Sequence, residues 1–189
     1  MPFMTPMQRE YRRNANRVWN VKTGATRSGK TYGDYFLLPK RLLAGRDLAG
    51  LNVILGSTKG TLTRNLIEPM QAIYGAAAIG DIRSDNTATL FGETCHCLGA
   101  DSIRQVNRLR GCSIKYCYGD EVTTWHRDVF EMLKSRLDKA YSRFDGTCNP
   151  EGPTHWFKKF LDLGGDELYQ QAYTMDHGAG HRRFCGVFG

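Results

Sequence analysis

The sequence predicts an α/β domain, a mostly parallel sheet covered by helices on both faces. Two observations predict it. Short apolar or β-rich runs alternate with segments of helical periodicity along most of the 189 residues. A glycine-rich loop also stands between the first such run and the first helix, where a strand crosses over. The length suits one domain with one core.

The elements follow in order. Residues 18–21 read as a short strand entering the loop, and residues 31–44 as the helix leaving it, stopped by Gly45. Pro39 lacks an amide, so a kink or restart is expected there. Residues 51–55 form a compact apolar run closed by Gly56, Ser57 and Thr58, a buried strand followed by a helix over about 61–73. Between 75 and 100 a Ser84-Asp85-Asn86 turn and the Gly92-Glu93 break predict a hairpin leading into a core strand. Ile103, Val106 and Leu109 share a helical face over 102–109, with Arg104 and Arg108 on another. A strand at 114–119, a helix at 126–137, a strand at 142–147, a helix at 155–163 and a strand at 168–173 complete the pattern.

The formal charge is +7, and it is unevenly spread. Ten Lys and Arg oppose two acidic residues up to Arg46, and 16 oppose 17 beyond it, so the excess surrounds the glycine loop. That suits a polyanionic ligand. Arg9, Arg12, Arg13 and Arg17 are candidates for DNA or nucleotide phosphate, although a solvated helix face is the favoured account of them. Cysteines 95, 97, 112, 117, 148 and 185 read as reduced thiols, because the chain is not small and has no signal peptide. Cys95 and Cys97 lack a second Cys or His pair at zinc spacing. No stretch approaches the ~20 apolar residues of a membrane span, and a soluble, cytoplasmic chain is expected.

Gly24-Ala-Thr-Arg27-Ser28-Gly29-Lys30-Thr31 matches G-x-x-x-x-G-K-[ST] in full, between a strand and a helix. The glycines let backbone amides converge on phosphates, Lys30 reaches the β- and γ-phosphates, and the Thr31 hydroxyl suits Mg²⁺. Asp120 and Glu121 follow the β-rich run 114–119, where Asp120 can serve the magnesium shell and Glu121 can polarise water beside the γ-phosphate. An adjacent acidic pair is common on surfaces; the complete P-loop favours the catalytic reading. Thr147-Cys148-Asn149-Pro150 ends a further strand. Asn-Pro reverses a chain for steric reasons alone, yet Thr147 and Asn149 there can also bond the γ-phosphate or water and report hydrolysis.

With these three motifs in order, the sequence resembles the ATPase domain of the large terminase subunit, the DNA-packaging motor of tailed phages. The resemblance implies a P-loop NTPase fold of the ASCE or RecA-like kind, with ATP and Mg²⁺ as ligands. It implies an adenine contact for Gln8 in Thr5-Pro6-Met7-Gln8, a nucleotide-binding role for Arg27, the Walker B pair in Asp120 and Glu121, and a coupling motif at 147–150 that makes Asn149 a catalytic candidate beside Glu121. Gly152-Pro153-Thr154-His155-Trp156 is also typical of that family. Arg110 looks like an arginine finger acting on a neighbouring subunit, or else is a solvated helix end. The implied partners are double-stranded DNA, a portal protein, a small terminase subunit and further copies in a ring, in the host cytoplasm and with no membrane.

The resemblance runs from about Gln8 to Asp176, so a P-loop ATPase domain is expected over 1–176 and a short tail over 177–189. That tail has neither the length nor the acids of the family's nuclease domain, and nuclease activity is not expected. An isolated ATPase domain and a truncated or frame-shifted gene fit equally. Two other readings share the motifs: another nucleic-acid-translocating ATPase, such as a helicase-like motor, and a module that binds nucleotide without turnover.

Overall fold

A computed structural model of the chain describes residues 4–149 and 152–174; Pro150 of the strand-end motif, Asp176 and the tail 177–189 lie outside them. Seven strands form one sheet: β1 (Trp19–Gly24), β2 (Leu51–Gly56), β3 (Thr87–Leu90), β4 (Glu93–Gly99), β5 (Ile114–Gly119), β6 (Arg143–Cys148) and β7 (Leu168–Tyr173). Their order is β3-β4-β2-β5-β6-β1-β7. Neighbours pair in parallel except for the β3–β4 hairpin, which turns at Phe91 and Gly92, both at positive φ. A two-residue turn of that hand matches strand twist. The P-loop strand β1 is separated from the Asp120 strand β5 by β6.

Side-chain parity divides the core. Trp19, Val21, Val53, Leu55, Cys117 and Phe144 face one layer, packed against Val129, Phe130 and Leu133 of α6 (Arg127–Lys134) and Phe157 and Leu161 of α7 (Trp156–Leu163). Ile54, Cys95, Cys97, Tyr116 and Tyr118 face the other, against Leu38 and Leu42 of α2 (Lys30–Ala44) and Met70 of α4 (Glu68–Tyr74). Central strands apolar on both faces are what a doubly covered parallel sheet requires. The five described cysteines outside the tail take part in no disulfide among the described residues. Among the described residues no helix is long and apolar enough to cross a membrane.

Several expectations change in detail. The chain opens with α1 (Pro6–Asn14), capped by Thr5, whose hydroxyl accepts from the Gln8 amide while the Gln8 side chain returns to the Thr5 N–H. The helix expected over 61–73 starts earlier, because Thr58 and Thr61 form a capping box on α3 (Lys59–Leu62). It then widens into a π-helical turn (Thr63–Ile67) before α4. The expected helix over 102–109 is only α5 (Ile103–Val106) followed by a 3₁₀ turn (Asn107–Leu109), and α6 stops short of Leu137.

Pro39 produces no restart. It lies inside the single helix α2, where its missing N–H orphans the Tyr35 carbonyl four residues back. The Tyr74 hydroxyl donates to that carbonyl at 3.0 Å, supplying from α4 the bond that proline cannot. Tyr74→Phe should therefore cost about 1 kcal/mol in chemical denaturation, and much less in a Pro39→Ala background, where the backbone amide serves Tyr35 again. Additive losses in the double-mutant cycle would show that the hydroxyl is not the substitute partner.

Candidate functional site

β1 ends at Gly24, and its backbone shape leaves no room for a side chain. Its φ is +147°, and a Cβ there would lie 2.2 Å from the Tyr173 carbonyl oxygen of β7. The loop then crosses exposed Arg27, at φ +64°, and reaches Gly29 at φ +82° immediately before α2. The helix amides and dipole thus face the concavity of the loop, an anion-binding arrangement. Ser28 is buried and Thr31 half-buried, and the Thr31 hydroxyl bonds to no described side chain.

Lys30 points into this concavity. Its Nζ donates to the Gly24 and Ala25 carbonyls at 2.6 and 2.7 Å and to Asn149 Oδ1 at 3.1 Å, with Ser28 Oγ at 3.4 Å. Burial lowers the affinity of the ammonium for its proton, and the nearby Cys148, Glu121 and Asp120 oppose that fall. The P-loop lysine and the end of β6 are thus already joined through Asn149.

Asp120 follows β5 and is 3% exposed. Its N–H donates to the Leu55 carbonyl, and its own carbonyl accepts from Trp125 Nε1 at 3.0 Å. The carboxylate is held from two sides: Oδ1 accepts from the Thr147 hydroxyl at 3.0 Å, and Oδ2 from Asn65 Nδ2 at 3.0 Å. Glu121 occupies the left-handed region at φ +50°, a conformation that non-glycine residues adopt at a cost. Its N–H donates to Thr147 Oγ1 at 3.1 Å. Its carboxylate is half-buried and bonds to no described residue. Burial and the neighbouring Asp120 push that carboxyl above the usual glutamate range, with Lys30 pulling the other way.

Of the residues singled out in the sequence, Gly24, Ser28, Gly29, Lys30, Thr31, Asp120, Glu121, Thr147 and Asn149 gather at the carboxyl edge of the sheet, the edge at which α/β folds bind ligands. Thr147 takes a narrower part than expected. It is 1% exposed and its hydroxyl is committed to Asp120 and Glu121, so it clamps the acidic pair and does not face a phosphate. Gln8 is 4% exposed and holds the Gly29 carbonyl at 2.9 Å through Nε2, while its Oε1 accepts from Thr5. One hydrogen of its side-chain amide is left outside these bonds.

Arg110 is not part of this gathering. It is exposed directly after the 3₁₀ turn, four residues ahead of β5, and its side chain bonds to no described residue. Arg9, Arg12, Arg13 and Arg17 are exposed on and just after α1. A cavity of about 400 Å³ opens elsewhere, lined by Asn52, Glu93, His96 and Lys115, and takes in no predicted site residue.

Asn65 and Trp125 are the site neighbours that sequence reading missed. Trp125 carries a faint signal, a polar-tipped aromatic five residues after Asp120 that needs a partner when buried. Thr147→Val keeps the volume and removes the hydroxyl, so it should slow nucleotide hydrolysis at least tenfold, whereas Thr147→Ser should stay within about threefold. Steady-state phosphate release compares them, and equal rates for Val and Ser would show that the hydroxyl clamp is dispensable.

No protein-family model and no curated protein matches the chain. Solved structures do. The large terminase of a thermophilic bacteriophage superposes with a TM-score of 0.76 at 26% identity, over 93% of this chain and 47% of that one. The same terminase with ATP-γ-S gives 0.72 at 26%, over 93% and 45%. The large terminase ATPase domain of Thermus phage P74-26 matches in fold, with a TM-score of 0.63 at 14% identity over 92% and 80%. The chain thus spans about half the length of the thermophilic phage terminase. In its seven-stranded, mostly parallel P-loop sheet the chain is similar to the ATPase domain of phage large terminases.

Proposed function

We propose that this chain is the ATP-hydrolysing module of a phage DNA-packaging motor, built over residues 1–176. The observation that carries the reading is the meeting of a complete P-loop lysine, Lys30, with the end of β6 through Asn149, beside a buried, doubly held Asp120 and a Glu121 carboxylate that bonds to no described residue. The thermophilic phage terminase, a similar chain, has been solved with ADP and with ATP-γ-S, which supports ATP as the substrate.

The loop from Gly24 to Thr31 wraps the phosphates with backbone amides, Arg27 and Ser28 lying along it, and Gln8 braces Gly29 close to where an adenine would enter. Lys30 exchanges the Gly24 and Ala25 carbonyls for β- and γ-phosphate oxygens, better partners because they are charged. Among the described residues no cluster of three or more His, Cys, Asp or Glu is suited to a metal, but magnesium on a nucleotide needs only one or two protein oxygens. The free Thr31 hydroxyl and the oriented Asp120 carboxylate fit that need, and there the ion would offset phosphate charge. Glu121 acts as the base that orients the attacking water. Asn149, bonded to Lys30, is placed to register the loss of the γ-phosphate and pass it along β6 to Thr147 and Asp120. The motor reading further implies double-stranded DNA, a portal protein, a small terminase subunit and a ring of copies as partners, in the host cytoplasm.

Lys30→Ala should abolish tight MgATP binding, and Glu121→Gln should keep ATP bound while stopping turnover, both read by equilibrium binding and single-turnover hydrolysis. Because the Glu121 carboxyl is raised and must be ionised to act, the acid limb of hydrolysis should fall above the ordinary glutamate range. ATP bound without turnover in the unaltered chain, at every concentration and with DNA, would instead favour a module that binds nucleotide only.

Arg110 is proposed to serve the neighbouring copy. It precedes β5, and a strand of six residues spans roughly 20 Å at ~3.3 Å per residue, which favours a role on a neighbouring copy over one at its own Asp120 unless the loop folds back. Mixing Arg110→Ala with Glu121→Gln chains, each inactive alone, should restore part of the activity, because some interfaces then pair an intact arginine with an intact glutamate. Fingers supplied in trans are worth ~10³ to 10⁵ in turnover, so dilute monomer should be slow. Co-assembly without recovery would remove the role in trans.

A further inference from the structure

We propose that Asn65 is a positioning residue for the Asp120 carboxylate, brought there by the π-helical turn of Thr63–Ile67. The proposal rests on the ATP-hydrolysis reading and concerns the metal side of that site.

The turn is wider than its flanks, with the Glu68 N–H bonding the Thr63 carbonyl five residues back. One extra residue rotates the next helical segment by ~100° relative to a regular helix. The apolar residues on both sides of the insertion stay in the core: Leu62, Leu66, Ile67 and Met70 are all at most 1% exposed. Asn65, half-buried between them, is left over the end of β5. Single π turns inside α-helices occur frequently at functional sites.

Asn65 is fastened at both ends. Its backbone carbonyl accepts from the Tyr35 hydroxyl of α2 at 2.8 Å, and its Nδ2 donates to Asp120 Oδ2 at 3.0 Å. With Thr147 on Oδ1, each carboxylate oxygen has one donor and keeps lone-pair capacity for a further ligand. The carboxylate cannot rotate without breaking both bonds. An amide suits this task because it orients the carboxylate without neutralising the charge that a divalent cation needs, as Lys or Arg would. Tyr35 lies on the helix that carries Thr31, so Asn65 also links the two candidate magnesium ligands across the P-loop helix and β5.

The test titrates MgCl₂ against the full chain at saturating ATP, and measures ADP binding by calorimetry with and without Mg²⁺. Asn65→Ala and the near-isosteric Asn65→Leu should each raise the Mg²⁺ midpoint about tenfold, in hydrolysis and in ADP binding alike, with Mg²⁺-free ADP binding unchanged. Tyr35→Phe loosens the same turn without touching the amide; it should lower Tm yet leave the Mg²⁺ midpoint within twofold. An unmoved midpoint in both Asn65 variants overturns the proposal. So does an equal loss of Mg²⁺-free ADP binding, or a loss of folding in both, since each marks a purely structural role. If the unaltered chain binds no ADP at all, the ATPase reading falls first and this proposal with it.

Discussion

Two buried ion pairs hold α2 against the sheet, and the whole site depends on where that helix sits. Asp34 and Arg41, seven residues and two turns apart, share one face of α2. Asp34 pairs with Lys22 of β1, both essentially unexposed, and Arg41 grips Asp145 of β6 through two nitrogens, at 2.7 and 3.1 Å. The Arg41 guanidinium also donates to the Ala15 carbonyl, tying in the end of α1. Opposite charges at two heights along one helix fix its axial position, because a slide by one turn would leave four buried charges unpaired. Breaking such a pair costs about 3–5 kcal/mol, whereas forming it contributes little net stability. What these pairs contribute is placement: Gly29 and Lys30 open the same helix that Asp34 and Arg41 anchor.

The anchoring has a chemical price in the interior. Burial pushes the Asp34 carboxyl up to about 6, against the pull of the Lys22 ammonium. Lys22 lies over the Tyr11 ring at 4.4 Å, and the Tyr118 hydroxyl reaches Asp34 at 3.4 Å, so aromatic rings border this ion pair within the α2 layer. The sheet consequently has a dry face toward α6 and α7 and a partly polar face toward α2 and α1. The strand β6 spans the difference: Asp145 anchors α2 in its middle, while Thr147 and Asn149 reach Asp120 and Lys30 at its end. β6 is thus one of the routes that couple α2 to the Asp120 end of β5, beside the Tyr118–Asp34 contact and the Tyr35–Asn65–Asp120 bonds.

The strand and helix sequence was legible wherever burial on both faces wrote long apolar runs. β2 and β5 fall where the runs fall, and the hairpin turns where Gly92 marks it. Local readings failed where a distant residue supplied the missing bond. Pro39 reads as a kink or restart because its own turn lacks a donor, and no local pattern shows that Tyr74 provides one. The helix after β2 reads as regular because both π and α windings bury an apolar face, and only tertiary contacts, the Tyr35 bond from α2 among them, distinguish the two.

By itself the sequence determined the phosphate loop, the acidic pair and the strand-end Thr and Asn, since phosphate and metal chemistry demands those residue types at short, local spacings. It also determined that they would share one edge, because parallel strands joined by helices place all their carboxyl ends together. The tertiary structure alone decided which residues hold which. Thr147 faces Asp120 because β6 lies beside β5, Lys30 meets Asn149 across a separation of 119 residues, and Asn65 arrives on an irregular turn. Those bonds depend on strand order and helix register, which are set by the summed packing of the core and by buried charges such as Lys22 and Asp34, whose partners no stretch of neighbouring sequence specifies.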